Sequence, residues 1–181
     1  MVYVHLANGF EEIEALMTVD MLRRAKVDVQ LVSVTGELIV HGAHNIDVQA
    51  DILFEEADYD SCEMIVLPGG MPGALNLQNH EGLKEKIMMF AQAGRNLAAI
   101  CAAPMVFGAH GIFEGNKATI YPGMEDRLVG AVPVNAGAVK DGNIITGKGP
   151  GFAADFALTI LETLTDKETA DSVAEGFLIS R

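Results

Sequence analysis

The chain predicts an α/β fold with a mostly parallel sheet covered by helices on both faces. Three observations carry that prediction. Short apolar runs of strand length alternate with longer segments whose apolar residues recur at helical spacing. Two of the runs, residues 64–67 and 97–100, are apolar throughout, as buried strands are. Strand-like runs also end on turn-forming residues, at Asn8-Gly9 and Pro68-Gly69-Gly70.

In chain order, residues 2–7 are strand-like. Residues 11–25 read as a helix because Ile13, Leu16, Met17 and Met21 share one face. Residues 27–34 are strand-like again. Residues 37–50 alternate in polarity and, with Gly36 and Gly42, read as a hairpin that departs from strict strand–helix order. A buried strand at 64–67 is followed by a helix at 82–93, which stops near Gly94. The strand at 97–100 runs into a helix at 102–108. Residues 118–120, 132–139 and 143–146 offer later strands. An apolar helix at 152–164 follows Gly149-Pro150-Gly151, and residues 166–175 read as a last helix.

The length of 181 residues fits one domain, expected to span 1–181, and a 50% hydrophobic composition can fill a sizeable core. No run approaches the roughly 18 apolar residues of a membrane span. The first residues lack the basic segment of a signal peptide and read as a strand of the fold. Cys62 and Cys101 form neither a disulfide framework nor a metal-ligand spacing, so a reducing, cytoplasmic setting is expected. A net charge of −13 opposes nucleic-acid binding, which needs a basic surface.

The chemistry concentrates at Leu97-Ala98-Ala99-Ile100-Cys101-Ala102-Ala103-Pro104. A buried strand ends at Cys101, and Pro104 sits in the first turn of a helix, where its missing N–H costs little. Cys101 therefore stands on a strand-to-helix corner resembling a nucleophile elbow. There it points into the cleft at the strand's carboxyl edge, with a helix N-terminus expected to favour its thiolate. Gly69 and Gly70 close a neighbouring strand, where their amides could turn toward an anion. Glu11, Glu12 and Glu14 crowd the first turn of the first helix. The positive helix end accounts for two of them, and a third could carry a proton for the thiol; spacing leaves open which. The histidines, at 5, 41, 44, 80 and 110, all lie away from Cys101 in sequence, which disfavours a cysteine–histidine hydrolase. Cys62 reads as an incidental thiol.

Four blocks together resemble the ThiJ/PfpI superfamily, and most closely its Parkinsonism-associated deglycase branch with bacterial relatives. They are Gly9-Phe10-Glu11-Glu12-Ile13-Glu14-Ala15, Val66-Leu67-Pro68-Gly69-Gly70, Ala98-Ala99-Ile100-Cys101-Ala102-Ala103-Pro104 and Gly149-Pro150-Gly151. The resemblance implies a flavodoxin-like, Rossmann-like three-layer sandwich and a homodimer. It implies that Cys101 is the reactive, oxidation-prone cysteine and that Glu14 is the glutamate bonded to it. Gly69, Gly70 and Ala102 align with residues whose backbone amides face the thiolate. Ala102 also stands where many PfpI-type proteases place histidine, so proteolysis is disfavoured. Tyr121, before Pro122, replaces a pocket histidine of some members. His44 aligns with an arginine that a partner subunit brings near the site.

The function this implies is a glyoxalase or deglycase acting on 2-oxoaldehydes such as methylglyoxal and glyoxal, or on their early protein adducts. It would need no cofactor or metal. The alternative is a redox sensor or chaperone whose Cys101 oxidises to sulfinate with little turnover.

Overall fold

A computed structural model describes residues 1–180. Its elements in chain order are β1 (Val2–Leu6), α1 (Glu12–Arg24), β2 (Val29–Ser33), β3 (Ile39–His41), β4 (Asp47–Gln49), β5 (Ile52–Leu53) and β6 (Met64–Leu67). Then follow α2 (Gly73–Asn79), α3 (Glu81–Gln92), β7 (Asn96–Ile100), α4 (Pro104–Ala109), β8 (Lys117–Ala118) and β9 (Val132–Pro133). β10 (Ala138–Asp141), β11 (Ile144–Gly147), α5 (Ala153–Leu164) and α6 (Lys167–Gly176) complete the order.

Seven strands form one sheet in the order β10-β11-β7-β6-β1-β2-β5. Every pair is parallel except β10 with β11. The expected mostly parallel sheet is therefore present. Strand alternation divides the core in two. Val4, Leu6, Val66, Ala98 and Ile100 point to the side packed by α1 and α5. Tyr3, Ile65, Leu67, Leu97 and Ala99 point to the other side, where Leu77, Phe90 and Phe107 of α2, α3 and α4 cover them. Both faces are buried, which explains why β6 and β7 carry no polar alternation. Among the described residues, no helix is long and apolar enough to cross a membrane.

Three elements differ from the sequence reading. The expected strand at 132–139 is two pieces. β9 pairs with β8 in a separate two-stranded sheet, and β10 pairs antiparallel with β11. Pro133 has no N–H to extend a ladder, and the chain bends through Asn135-Ala136-Gly137 before β10 begins. β5 and α2 were not anticipated: two residues are too few for a strand pattern, and α2 has glycine at its start and no side-chain cap. The expected hairpin is present as β3–β4, outside the main sheet. It is laid over the start of α1 by Gly9 N–H to His41 O (2.8 Å) and Ala43 N–H to Phe10 O (2.8 Å).

Candidate active site

Three adjacent strands, β1, β6 and β7, bring the chemistry together at their carboxyl ends. β7 ends at Ile100, and Cys101 turns the chain with φ of +62°. A side chain in that left-handed region is strained, at a cost of about 1–3 kcal/mol. Hydrogen bonds on both sides hold it. Cys101 N–H donates to Gly147 O at the end of β11 (2.9 Å), and Cys101 O accepts from Tyr121 N–H (2.9 Å). The expected elbow is thus a property of the backbone. Cys101 itself is 8% exposed.

β6 ends in the two glycines. A Cβ on Gly69 would lie 2.6 Å from Cys101 Cβ and 2.8 Å from Glu14 Oε2. Gly70 adopts φ of +85°, and a Cβ there would lie 2.5 Å from Glu11 N. Only glycine lets this strand end pass between the elbow and α1. The two amides then diverge. Gly70 N–H, with Ala102 N–H, faces the Cys101 sulfur. Gly69 N–H instead donates to Glu14 Oε2 at 2.8 Å. It orients the carboxyl, so the expected trio of amides at sulfur is reduced to two.

α1 supplies Glu14, which is 1% exposed. Its backbone is fixed from both directions. Glu14 N–H donates to the Glu11 carboxylate (2.8 Å), which caps the helix, and Glu14 O accepts from Thr18 Oγ1 (2.7 Å). Glu14 Oε1 is buried with no hydrogen-bond partner. Burial pushes the Glu14 carboxyl up to about 7, against the pull of the Gly69 amide and the Cys101 thiol. Burial likewise pushes the Cys101 thiol up to about 12, and the charge of Glu14 adds to this. The Gly70 and Ala102 amides pull it down. Carboxyl and thiol therefore titrate as one unit. Once a single proton remains between them, the thiolate form requires that Glu14 hold it. This corrects the expectation that the helix N-terminus favours the thiolate. α4 has only six residues and begins at Pro104, so two local amides and a proton-bearing carboxyl replace a helix dipole.

Tyr121 borders the elbow through its backbone bond to Cys101, with its ring beside Gly149. His44 lies on the hairpin and bonds to α1. Its N–H donates to Glu12 Oε1 (2.6 Å), and its Nδ1 shares a proton with Glu12 Oε2 (2.7 Å). Burial raises the Glu12 carboxyl, but the bonds to His44 outweigh it and hold it below the usual range. His44 is raised by the same bond. None of its bonds reaches Cys101. The remaining histidines are structural: His5 meets Tyr59 OH (2.7 Å), His41 pairs with Asp47 (2.7 Å), His80 caps α3 and His110 follows α4. Spacing leaves Glu11 undistinguished from Glu12 and Glu14, either as a carboxylate at a positive helix end or as the proton carrier, and does not identify it as the cap. Its place immediately before the first helical residue is the signal of a cap, and the cap sets the position of Glu14.

An elbow of this kind, on a parallel sheet covered on both faces, defines an α/β protein of the cysteine-elbow class. Comparison with known proteins narrows the class. A sequence profile of the DJ-1/PfpI family matches residues 1–163, and the chain belongs to that family. It is 37% identical to Protein dj-1beta of Drosophila melanogaster, over 98% of this chain and 96% of that protein. It is 31% identical to a protein named as a deglycase from Pyrococcus abyssi, over 80% of this chain and 87% of the other. The structure of oxidized Toxoplasma gondii DJ-1 superposes with a TM-score of 0.95 at 34% identity, covering 99% of this chain and 98% of that one. The chain spans 41% and 46% of the length of two Arabidopsis thaliana relatives, DJ-1 homologs B and A.

Proposed function

We propose that this protein is a cysteine-dependent glyoxalase or deglycase, acting on 2-oxoaldehydes or their early protein adducts without glutathione. One observation carries the reading: a buried, unpartnered carboxyl oxygen of Glu14 beside a cysteine whose sulfur faces two main-chain amides. The deglycase name of the Pyrococcus abyssi relative supports it.

With methylglyoxal, the Cys101 thiolate adds to the aldehyde carbon. A proton reaches the aldehyde oxygen, giving a hemithioacetal, while the Gly70 and Ala102 amides steady that oxygen. Glu14, now a carboxylate, removes the proton from the former aldehyde carbon, giving an enediolate, in which the hydroxyl proton passes from the first oxygen to the former ketone oxygen. Returning that proton to the adjacent carbon leaves a thioester of lactate on Cys101. Water cleaves the thioester, releasing lactate and the thiol. No electron acceptor is consumed, because one carbon is oxidised as its neighbour is reduced.

Gly69 serves as a positioning residue for Glu14, and Tyr121 borders the pocket. The whole span 1–181 acts as one domain, in a reducing cytoplasm. The chain functions as a homodimer. Ile13 and Leu16 of α1 and Ile39 and Ile46 of the hairpin are exposed apolar side chains on neighbouring elements, which an assembly would cover. Lactate formation from methylglyoxal in amine-free buffer without glutathione tests the function. Turnover that is lost in Cys101→Ser and Glu14→Gln supports it. A folded, reduced protein no faster than Cys101→Ser overturns it.

A second reading, redox sensing or a chaperone role with little turnover, rests on the same two amides. Donors that steady a thiolate also steady a sulfinate. It becomes the better account if mild peroxide oxidises Cys101 selectively while no turnover is found.

A further inference from the structure

Beside the elbow lies a cleft of about 450 Å³ that the proposed reaction does not use. That volume falls within the roughly 300–1,000 Å³ of small-molecule sites. Two main-chain bonds connect its walls to the elbow. Tyr121 N–H donates to Cys101 O, and Ile120 and Pro122, on either side of Tyr121, line the cleft. Gly147 O accepts from Cys101 N–H, and Lys148, the next residue, lines it as well. Each wall therefore begins one residue, about 3.8 Å of chain, from a group bonded to Cys101. None of the lining residues belongs to α1 or the hairpin, so an assembly over those elements does not use this surface.

The floor is apolar and fixed. Ala118, Ile120 and Leu128 are buried. Thr119 is buried too and is tied to the frame at both of its donors. Its N–H donates to Thr146 Oγ1 (2.9 Å) and its hydroxyl to Ala136 O (3.0 Å). Two charges of opposite sign stand on the walls. Lys148 is half-buried, and its Nζ donates to Asn135 Oδ1 (2.7 Å) and lies 5.5 Å from the centre of the Phe152 ring. An ammonium carries three donors, so two remain for a ligand. Glu125 accepts Gly123 N–H with Oε2 (2.9 Å), and its Oε1 is left for a second donor. Among the described residues, neither Lys148 nor Glu125 pairs with an opposite charge. A lysine held in a cleft without a carboxylate, in a chain of 25 acidic and 12 basic side chains, is suited to bind an anion from outside.

We propose that this cleft is a subsite for the head group of a free α-amino acid, with Lys148 binding its carboxylate and Glu125 its ammonium. An apolar floor between one cation and one anion matches a zwitterion. A residue inside a protein chain carries neither charge on its backbone. The inference rests on the glyoxalase or deglycase reading and narrows it: the substrate is the early 2-oxoaldehyde adduct of a free amino acid. The cleft holds the head group while the modified side chain reaches Cys101. Lys148 and Glu125 determine specificity and do not touch the reacting atoms.

The test is an amide NMR titration of the whole protein carrying Cys101→Ser with S-methyl-L-cysteine, an amino acid with no reactive thiol. The expected result is saturable shifts centred on the Thr119, Asn135 and Lys148 amides. Lys148→Gln, or methyl esterification of the ligand, should weaken binding about 10–100-fold, the usual worth of a charged hydrogen bond. The two changes together should cost little more than either alone. Glu125→Gln and N-acetylation of the ligand should form a second such pair. Both substitutions should leave the circular dichroism unchanged, because glutamine can still donate to Asn135 and accept from Gly123. Lys140→Gln, at an exposed position of β10, should leave binding unchanged. Absence of saturable shifts, binding that survives Lys148→Gln, or equal affinity for the methyl ester would overturn the proposal. Because the titration needs no turnover, the two readings fail separately. Binding as described without lactate formation in the parent leaves the subsite standing and removes the catalytic reading. Lactate formation without amino-acid binding does the reverse.

Discussion

The two cysteines of this chain are buried alike and built differently. Cys62 is 0% exposed and Cys101 is 8% exposed. Burial pushes both thiols up, to about 11 and about 12. The contrast lies in the groups around each sulfur. The Cys62 thiol donates to Met64 O (3.2 Å), a bond that only the protonated form can make. Backbone N–H groups meet both sulfurs, but Cys101 also has beside it a carboxyl able to hold a proton, on a backbone forced to positive φ. Cysteine burial alone therefore says nothing about reactivity. What counts is whether the buried surroundings stabilise the thiol or the thiolate.

The sharpest way to break this contrast is to exchange the two sulfurs' fates. Cys101→Ser should abolish lactate formation, while Cys62→Ala should retain it and lose only about 1 kcal/mol of stability by denaturant unfolding. Comparable losses of activity in both would erase the distinction. Next in size, Glu14→Gln should lower kcat by about 10²–10⁴-fold, the usual contribution of a placed acid–base group. The same substitution should change the pH profile. In the parent, kcat/KM should rise as pH passes about 7, where the Glu14–Cys101 pair gives up its first proton. In Glu14→Gln that rise should vanish, because the remaining thiol titrates alone at higher pH.

Peroxide provides a finer comparison. Limited oxidation followed by peptide mass analysis should place sulfinate on Cys101 well before Cys62, which is fully buried and donates its thiol proton to Met64 O. Equal modification would mean that the elbow confers no special reactivity. The smallest effect is on stability. Glu14 keeps its proton in the folded chain at pH values where the unfolded chain has lost it. Its contribution is complete below about pH 4.5 and falls away as pH rises through about 7, by at most about 3 kcal/mol. His5, buried against Tyr59, works in the opposite sense. Burial lowers it from 6.5 to about 3, so the stability tied to its neutral form is lost as pH falls through that window. Unfolding curves of the parent and Glu14→Gln should diverge between pH 5 and 8, and their superposition would mean Glu14 is not perturbed.

The sequence by itself determined the α/β class, the strand-to-helix corner at Cys101 and the glycine pair, because each is written in neighbouring residues. Apolar runs set strands, Pro104 opens a helix turn, and Gly69-Gly70 permits a backbone no other residue tolerates. Periodicity and spacing did not single out Glu14 from Glu11 and Glu12; family resemblance did. The three glutamates share one helix turn, and their local surroundings are alike. Tertiary structure separated them. β6 passes close to one side of α1 and buries Glu14 against Cys101, while the hairpin covers the other side and gives Glu12 to His44. Glu11 remains at the helix start as the cap. The same contacts sent the Gly69 amide to a carboxylate and the Gly70 amide to sulfur. A sequence lists donors, acceptors and titratable groups. Which ones meet, and which are deprived of water, is settled when strands distant in the chain become neighbours in the sheet.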